Sequence, residues 1–175
     1  MDLKKYIRSI PDYPKKGILF RDITTLIKDK DAFKECIDQM SKIMEKMNFD
    51  KIAAVESRVF IFASPLSYIL NKPLILIRKK NKLPAETFSE DFELEYGKAT
   101  VEIHKDSIKK NEKTIIVDDL IATGGTAKAT AKLVEKTGGK VESFIFVINL
   151  FDLGGKDLLK KQSFKTLSLI DFPGH

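Results

Sequence analysis

The chain has 175 residues, a net charge of +6 and 43% hydrophobic residues, enough for one domain with a sizeable core. It has no apolar run long enough to span a membrane, no signal-peptide core after the first residues and one cysteine, Cys36, without an internal partner; a cytosolic protein with no membrane partner is expected. The lysines are spread along the chain among acids, which argues against a nucleic-acid partner. A solvated surface that steers a polyanionic substrate accounts for the charge as well.

Leu3, Tyr6, Ile7 and Ile10 keep helical spacing, and Pro11, Pro14 and Gly17 break it, so a short amphipathic helix is predicted to open the chain. The half-apolar segment Gly17–Thr24 fits either core wrapping or the wall of a pocket. Asp31 is the predicted N-cap of a helix whose Phe33, Ile37, Met40, Met44 and Met47 face a sheet, with the methionines and Cys36 as core filler. Ile52–Val55 reads as a buried strand ending in Glu56-Ser57-Arg58. Phe60–Leu70 reads as helical, either restarting at Ser64-Pro65 or kinked there. Pro73–Ile77 is a third strand, ending in the basic cluster Arg78–Lys82. Phe92, Leu94 and Tyr96, then Ala99, Val101 and Ile103, alternate with polar residues as in a hairpin, with His104 at its end as a solvent-facing polar residue.

The most informative stretch is Lys113–Ala127. Ile115, Ile116 and Val117 form a short buried strand that ends on Asp118 and Asp119; Thr123-Gly124-Gly125-Thr126 follows, then a helix closed by Gly138-Gly139. Glycines let backbone N–H groups converge on an anion, and the helix N-terminus adds its positive end. Carboxylates would repel a phosphate but accept hydrogen bonds from a sugar diol. The stretch therefore asks for a ribose 5′-phosphate. It contains neither a Walker-type loop nor a dinucleotide fingerprint. A strand at Phe144–Ile148, a Gly154-Gly155 turn, a lysine-rich helix and a strand at Phe164–Ile170 complete the chain. Alternating strands and helices imply an α/β fold with a mainly parallel sheet flanked by helices, in which polar strand ends gather at one carboxyl edge.

Val117–Thr126 resembles the phosphoribosyl-pyrophosphate (PRPP) motif of type I phosphoribosyltransferases. Gly17–Thr24, Glu56–Arg58, Arg78–Pro84, Leu94–Gly97 and Val101–Asp106 are similar, in the same order and spacing, to the adenine phosphoribosyltransferase family. The resemblance implies transfer of the phosphoribosyl group from PRPP to adenine, giving AMP and pyrophosphate in purine salvage. It implies a single domain over residues 1–175, with a small N-terminal hood over residues 1–30 and a flap hairpin over residues 79–104, both approximate. It gives Asp118 and Asp119 to the ribose and Ala122, Thr123, Gly124, Gly125 and Thr126 to the 5′-phosphate. Pyrophosphate falls to Glu56, Ser57, Arg58, Arg78, Lys79 and Lys82, and adenine to Leu19, Phe20 and Arg21, largely through backbone groups. Glu95 and Tyr96 on the flap, with Arg58, form the implied catalytic group, and Glu95 handles the adenine proton. Mg²⁺ arrives with PRPP and is not held directly by the protein. A homodimer is implied, with Arg78 reaching the neighbouring site.

Three positions depart from the family pattern. Val59 and Ala63 stand where glycines are usual, and Asn149 where an acid near the base is usual. Valine tolerates positive φ poorly, so the backbone at Val59 decides whether the loop geometry is kept. The alternatives are a sibling enzyme for another purine base, a non-catalytic PRPP-binding regulator and a generic nucleotide-binding domain. The segment at 17–24 argues against the sibling. Residues 1–16, too short for an added DNA-binding domain, and Glu95 with the flap argue against the regulator, and the basic cluster at 78–82 against the generic domain.

Overall fold

The computed structural model describes residues 1–94 and 97–175. A 3₁₀ turn at Leu3–Tyr6 leads into strand β1 (Arg8–Pro11), which pairs antiparallel with β2 (Leu19–Asp22) in a separate two-stranded sheet. The amphipathic helix expected over 3–10 does not form. Ser9 and Ile10 pair with Arg21 and Phe20 instead, a tertiary pairing that overrides the weak propensity of a segment this short.

A single turn, α1 (Thr24–Ile27), and α2 (Lys30–Met44) follow. The N-cap of α2 is Asp29 and not Asp31: its carboxylate accepts from Asp31 N at 3.1 Å and Ala32 N at 2.9 Å, a cap contributing about 1 kcal/mol. Cys36, Ile37, Met40 and Met44 are buried, as the spacing predicted. Burial alone raises the Cys36 thiol pKa to about 12, so Cys36 behaves as a small apolar residue.

The main sheet has seven strands: β3 (Lys51–Val55), β4 (Leu74–Lys79), β5 (Thr87–Leu94), β6 (Gly97–His104), β7 (Lys113–Ile121), β8 (Lys140–Leu150) and β9 (Thr166–Phe172). Their order is β5-β6-β4-β3-β7-β8-β9. The five strands from β4 to β9 are parallel, and the β5–β6 hairpin adds an antiparallel edge. α3 (Phe60–Leu70), α4 (Gly125–Lys136) and α5 (Gly155–Lys161) complete the fold. Two apolar clusters form the core. One holds Met40, Ile52, Phe62, Leu66, Ile115 and Val147, and the other Ile77, Ile103, Ile116, Leu133 and Phe144. β3 and β7 contribute to both, as strands buried on two faces must.

α3 runs unbroken through Pro65, so Ser64 is not a cap and the helix does not restart. The carbonyl that loses its donor belongs to Ile61, a residue 44% exposed, where water can replace the bond. β7 continues two residues past the acids to Ile121. Asp118 and Asp119 therefore lie inside the strand, paired beside β8, and not at its end. No helix among the described residues is long and apolar enough to cross a membrane.

Candidate active site

β3 sits between β4 and β7, so the loop after β3 meets residues from both neighbours. Its Glu56 Oε2 lies 2.8 Å from Arg78 Nε on β4, and its Arg58 Nε lies 2.8 Å from Asp119 Oδ2 on β7. The polar clusters predicted at three strand ends thus converge. The Glu56–Ser57 peptide bond is cis. Val59, directly after Arg58, has φ −63° and ψ −23° and starts α3 from a buried position. This is an ordinary right-handed conformation, so valine fits where the family has glycine. Ala63 is fully buried inside α3.

The loop after β7 encloses a cavity of about 140 Å³ lined by Asp118, Ala122, Thr123, Gly124, Gly125, Thr126 and Phe146 among others. Gly124 caps α4 with φ +87°, a region glycine enters without strain. The first N–H groups of the helix have no intrahelical acceptor and border this cavity. A buttress the sequence did not disclose lies behind the loop. Gly155 N donates to Ala122 C=O at 2.9 Å, and a Cβ on Gly155 would fall 2.4 Å from that oxygen. The Gly154-Gly155 turn is therefore part of the scaffold of the loop after β7; its only sequence signal was a glycine pair.

The two acids differ. Asp118 is half-buried and its Oδ1 accepts from Asp119 N at 2.9 Å. Desolvation, then the neighbouring Asp119 charge, push its pKa well above the usual carboxylate range. Asp119 is buried and answers the Arg58 charge.

The basic cluster is ordered by a residue that sequence reasoning passed over. Buried Glu102 on β6 accepts from Asn81 N at 3.0 Å and from Ser89 Oγ at 3.4 Å, which holds the turn between Lys79 and Lys82. Both lysines are exposed, and Arg78 Nη1 reaches Lys82 C=O at 3.5 Å. The hairpin is fastened to α4, with Glu90 2.8 Å from Lys136 Nζ and 3.5 Å from Lys132 Nζ. Glu95 and Tyr96, the predicted catalytic pair of this hairpin, lie outside the described residues. His104 is half-buried rather than solvent-facing; its Nε2 accepts from Ala85 N at 3.3 Å.

Above Arg58 stands β2. The Arg58 guanidinium lies 6.0 Å from the Phe20 ring centroid, and Phe20 meets Tyr13 edge-on at 5.2 Å. Leu19 is half-buried beside them, while the Arg21 side chain is buried elsewhere. Asn149, buried, donates from Nδ2 to Asp171 Oδ1 at 2.8 Å.

A parallel sheet with a strand-borne acid pair, a glycine loop at a helix N-terminus and two arginines converging on both is the layout of a sugar-phosphate transferase. Residues 23–173 match the family described as phosphoribosyl transferase domain. The chain is 67% identical, over all 175 residues of both chains, to the adenine phosphoribosyltransferase of Pelagibacter ubique strain HTCC1062. The crystal structure of adenine phosphoribosyltransferase from Thermoanaerobacter pseudethanolicus superposes with a TM-score of 0.92 at 49% identity, covering 98% of each chain. That from Saccharomyces cerevisiae, complexed with adenine and D-2,5-dideoxy-2,5-imino-altritol 1,6-bisphosphate, gives a TM-score of 0.88 at 34% identity over 96% of each chain. The chain belongs to the phosphoribosyl transferase family, in the branch of the adenine phosphoribosyltransferases.

Proposed function

We propose that the chain transfers the 5-phosphoribosyl group of PRPP to adenine, forming AMP and releasing pyrophosphate. The observation that carries this is the Asp118-Asp119 pair beside the Ala122–Thr126 cavity, with Arg58 bridging from the loop after β3. In this reading the two carboxylates accept the ribose 2′- and 3′-hydroxyls, and the backbone N–H groups and hydroxyls of Ala122, Thr123, Gly124, Gly125 and Thr126 hold the 5′-phosphate. Glu56, Ser57, Arg58, Arg78, Lys79 and Lys82 receive the pyrophosphate, Arg58 and Arg78 exchanging their carboxylate partners for the incoming anion.

The bond from C1′ to the pyrophosphate oxygen breaks as adenine N9 bonds C1′ from the opposite face with inversion. The N9 proton leaves to a base, for which Glu95 is the candidate. Developing negative charge on pyrophosphate meets the Arg/Lys group, and positive charge at C1′ is tolerated beside the two acids. The hairpin from 79 to 104, with Glu95 and Tyr96, acts as a flap that keeps water from the cationic carbon. The β1–β2 hairpin acts as the hood, presenting Leu19, Phe20 and Arg21 backbone groups to adenine. Residues 1–175 then form one functional domain.

Among the described residues no three acidic, histidine or cysteine side chains gather as a metal cage. Hard carboxylate oxygens beside a polyanion suit a Mg²⁺ ion that enters on the oxygens of PRPP. When bound, that ion supplies further neutralisation of the leaving group. PRPP is too highly charged to cross a bilayer unaided, so the reaction shares a compartment with the PRPP supply, which in this reading is the cytoplasm.

A homodimer is part of this reading. α3 is apolar on nearly every face, with Ile61, Tyr68 and Ile69 exposed, and Leu76 is 40% exposed although its strand is flanked on both sides. A second copy covering this surface accounts for it, and would bring Arg78 near the neighbouring site.

The test is pyrophosphate release from PRPP and Mg²⁺ with adenine, hypoxanthine, guanine or xanthine supplied singly. Release with adenine alone is expected. Release with another base would keep the chemistry and overturn the base assignment. PRPP binding without release would favour the regulator.

A further inference from the structure

Among the described residues the β1–β2 hairpin pairs with no other strand, and a two-stranded hairpin alone is marginal in water. Its position over the site depends on side-chain anchors, and the principal one is Arg21. Successive side chains of a strand point to opposite faces, so Phe20 turns toward Arg58 while Arg21 turns away, into a pocket built by the far end of the chain. There Arg21 Nη2 donates to Pro173 C=O at 2.7 Å, Nη1 donates to Ser9 Oγ, and the guanidinium lies 4.5 Å from the Phe172 ring centroid. Arg21 is 7% exposed, and its Nε is buried with no hydrogen-bond partner among the described residues. Burial lowers its pKa and the Asp152 charge opposes this.

The carboxyl-terminal segment is itself fixed. Gly174 N donates to Asp152 Oδ1 at 2.6 Å, and Phe151 N donates to Phe172 C=O at 3.1 Å. A Cβ on Gly174 would lie 2.6 Å from Leu153 Cγ and 2.9 Å from Asp152 Oδ1, so only a hydrogen fits. The latch therefore has a socket at Phe172–Gly174, braced by the loop after β8, and a bolt on β2, with Arg21 and Pro173 separated by 152 positions.

We propose that Arg21 is a positioning residue, and Phe172–Gly174 a positioning segment, that set the height of Leu19-Phe20-Arg21 over the site and thereby the affinity and selectivity for the base. The inference rests on the transfer to adenine proposed above. Recognition through backbone groups has no side-chain rotamer to absorb an error, so a small displacement of the strand is felt directly at the base. PRPP is held by groups on and after β3, β4 and β7, which meet the hairpin where Arg58 faces Phe20, so it shares this dependence only in part.

Steady-state kinetics of the full chain, with adenine and with hypoxanthine, test it in the wild type, Arg21→Gln, Arg21→Lys and Gly174→Val. The KM for adenine is expected to rise about tenfold in Arg21→Gln and in Gly174→Val, with the KM for PRPP changed less than about twofold. Hypoxanthine-dependent release, absent from the wild type in this reading, should become measurable in Arg21→Gln and Gly174→Val, and Arg21→Lys, which keeps one of the two bonds, should lie between. The double variant Arg21→Gln/Gly174→Val should be little worse than either alone, because both open one latch. A lowered Tm with an unchanged adenine KM would overturn the proposal and leave a purely structural role. If Arg21→Gln does not fold, Arg21→Lys and Gly174→Val carry the same readouts. An active wild type with unchanged adenine KM in the variants overturns the latch alone. A wild type without adenine-dependent release overturns the transfer to adenine and the latch with it.

Discussion

Arg58 Nε and Asp119 Oδ2 lie 2.8 Å apart across two neighbouring parallel strands, joining the candidate pyrophosphate loop to the candidate ribose acceptor. The Arg58 side chain is 49% exposed and that of Asp119 only 12%, so the arginine is free to exchange partners while the acid stays in place. Asp119→Asn removes a charged acceptor and leaves Arg58 unanswered. A loss of about 10- to 100-fold in kcat/KM for PRPP is expected, the size of one charged hydrogen bond. Unchanged initial-rate kinetics would sink the ribose assignment.

Asp118 gives a pH test. Its folded-state pKa is raised by desolvation and by Asp119, so the folded chain holds that proton more tightly than the unfolded chain does. The group is neutral in both states well below the ordinary aspartate value of about 3.9 and costs nothing there. As pH rises from that value through the folded pKa, the unfolded chain gives up the proton first, and stability falls. Asp118→Asn, which keeps the acceptor for Asp119 N, should therefore raise Tm by about 2–4 °C at pH 7 and by almost nothing near about pH 3. PRPP affinity should fall at the same time. Thermal melts at the two pH values decide it.

Val59 is 1% exposed in right-handed backbone. Restoring the glycine usual in the family would remove core-packed methyls and loosen the start of α3. Val59→Gly should cost about 1–3 kcal/mol of stability without improving PRPP binding. Denaturant unfolding with isothermal titration of PRPP checks both halves. A gain in affinity would mean that the valine hampers the loop after all.

Tyr68 is 88% exposed on α3, part of the apolar surface assigned to a second copy. Tyr68→Glu would place a charge in that contact and should shift the protein to monomer with at least a tenfold higher dimer dissociation constant. Analytical ultracentrifugation measures it. A wild type that sediments as a monomer would overturn the dimer reading.

The buried strands and the phosphate loop were legible in the chain because their signals are local. Ile115-Ile116-Val117 reads as a short buried strand, which β7 is, and two acids before Thr123-Gly124-Gly125-Thr126 point to a sugar and an anion together. Asp29 in place of Asp31 is decided by two backbone hydrogen bonds, and an unbroken α3 through Pro65 by the exposure of Ile61; composition resolves neither. The opening helix was misread because Ile7 and Ile10 keep a helical interval, yet pairing with Phe20 and Arg21 lies ten or more residues away and outweighs it.

Residue chemistry alone was enough to specify an α/β protein and to single out one strand–loop–helix stretch as the candidate ribose-phosphate site, since charge, glycine and β-branching act within a few neighbours. Which acid faces which arginine, that Gly155 braces Ala122, that Glu102 orders the turn at Asn81, and that Arg21 is bound to Pro173 follow from strand order. That order brings together segments between 21 and 152 positions apart. Such contacts are selected by the packing of the whole core, where each burial constrains the next, and no local interval in the chain encodes them.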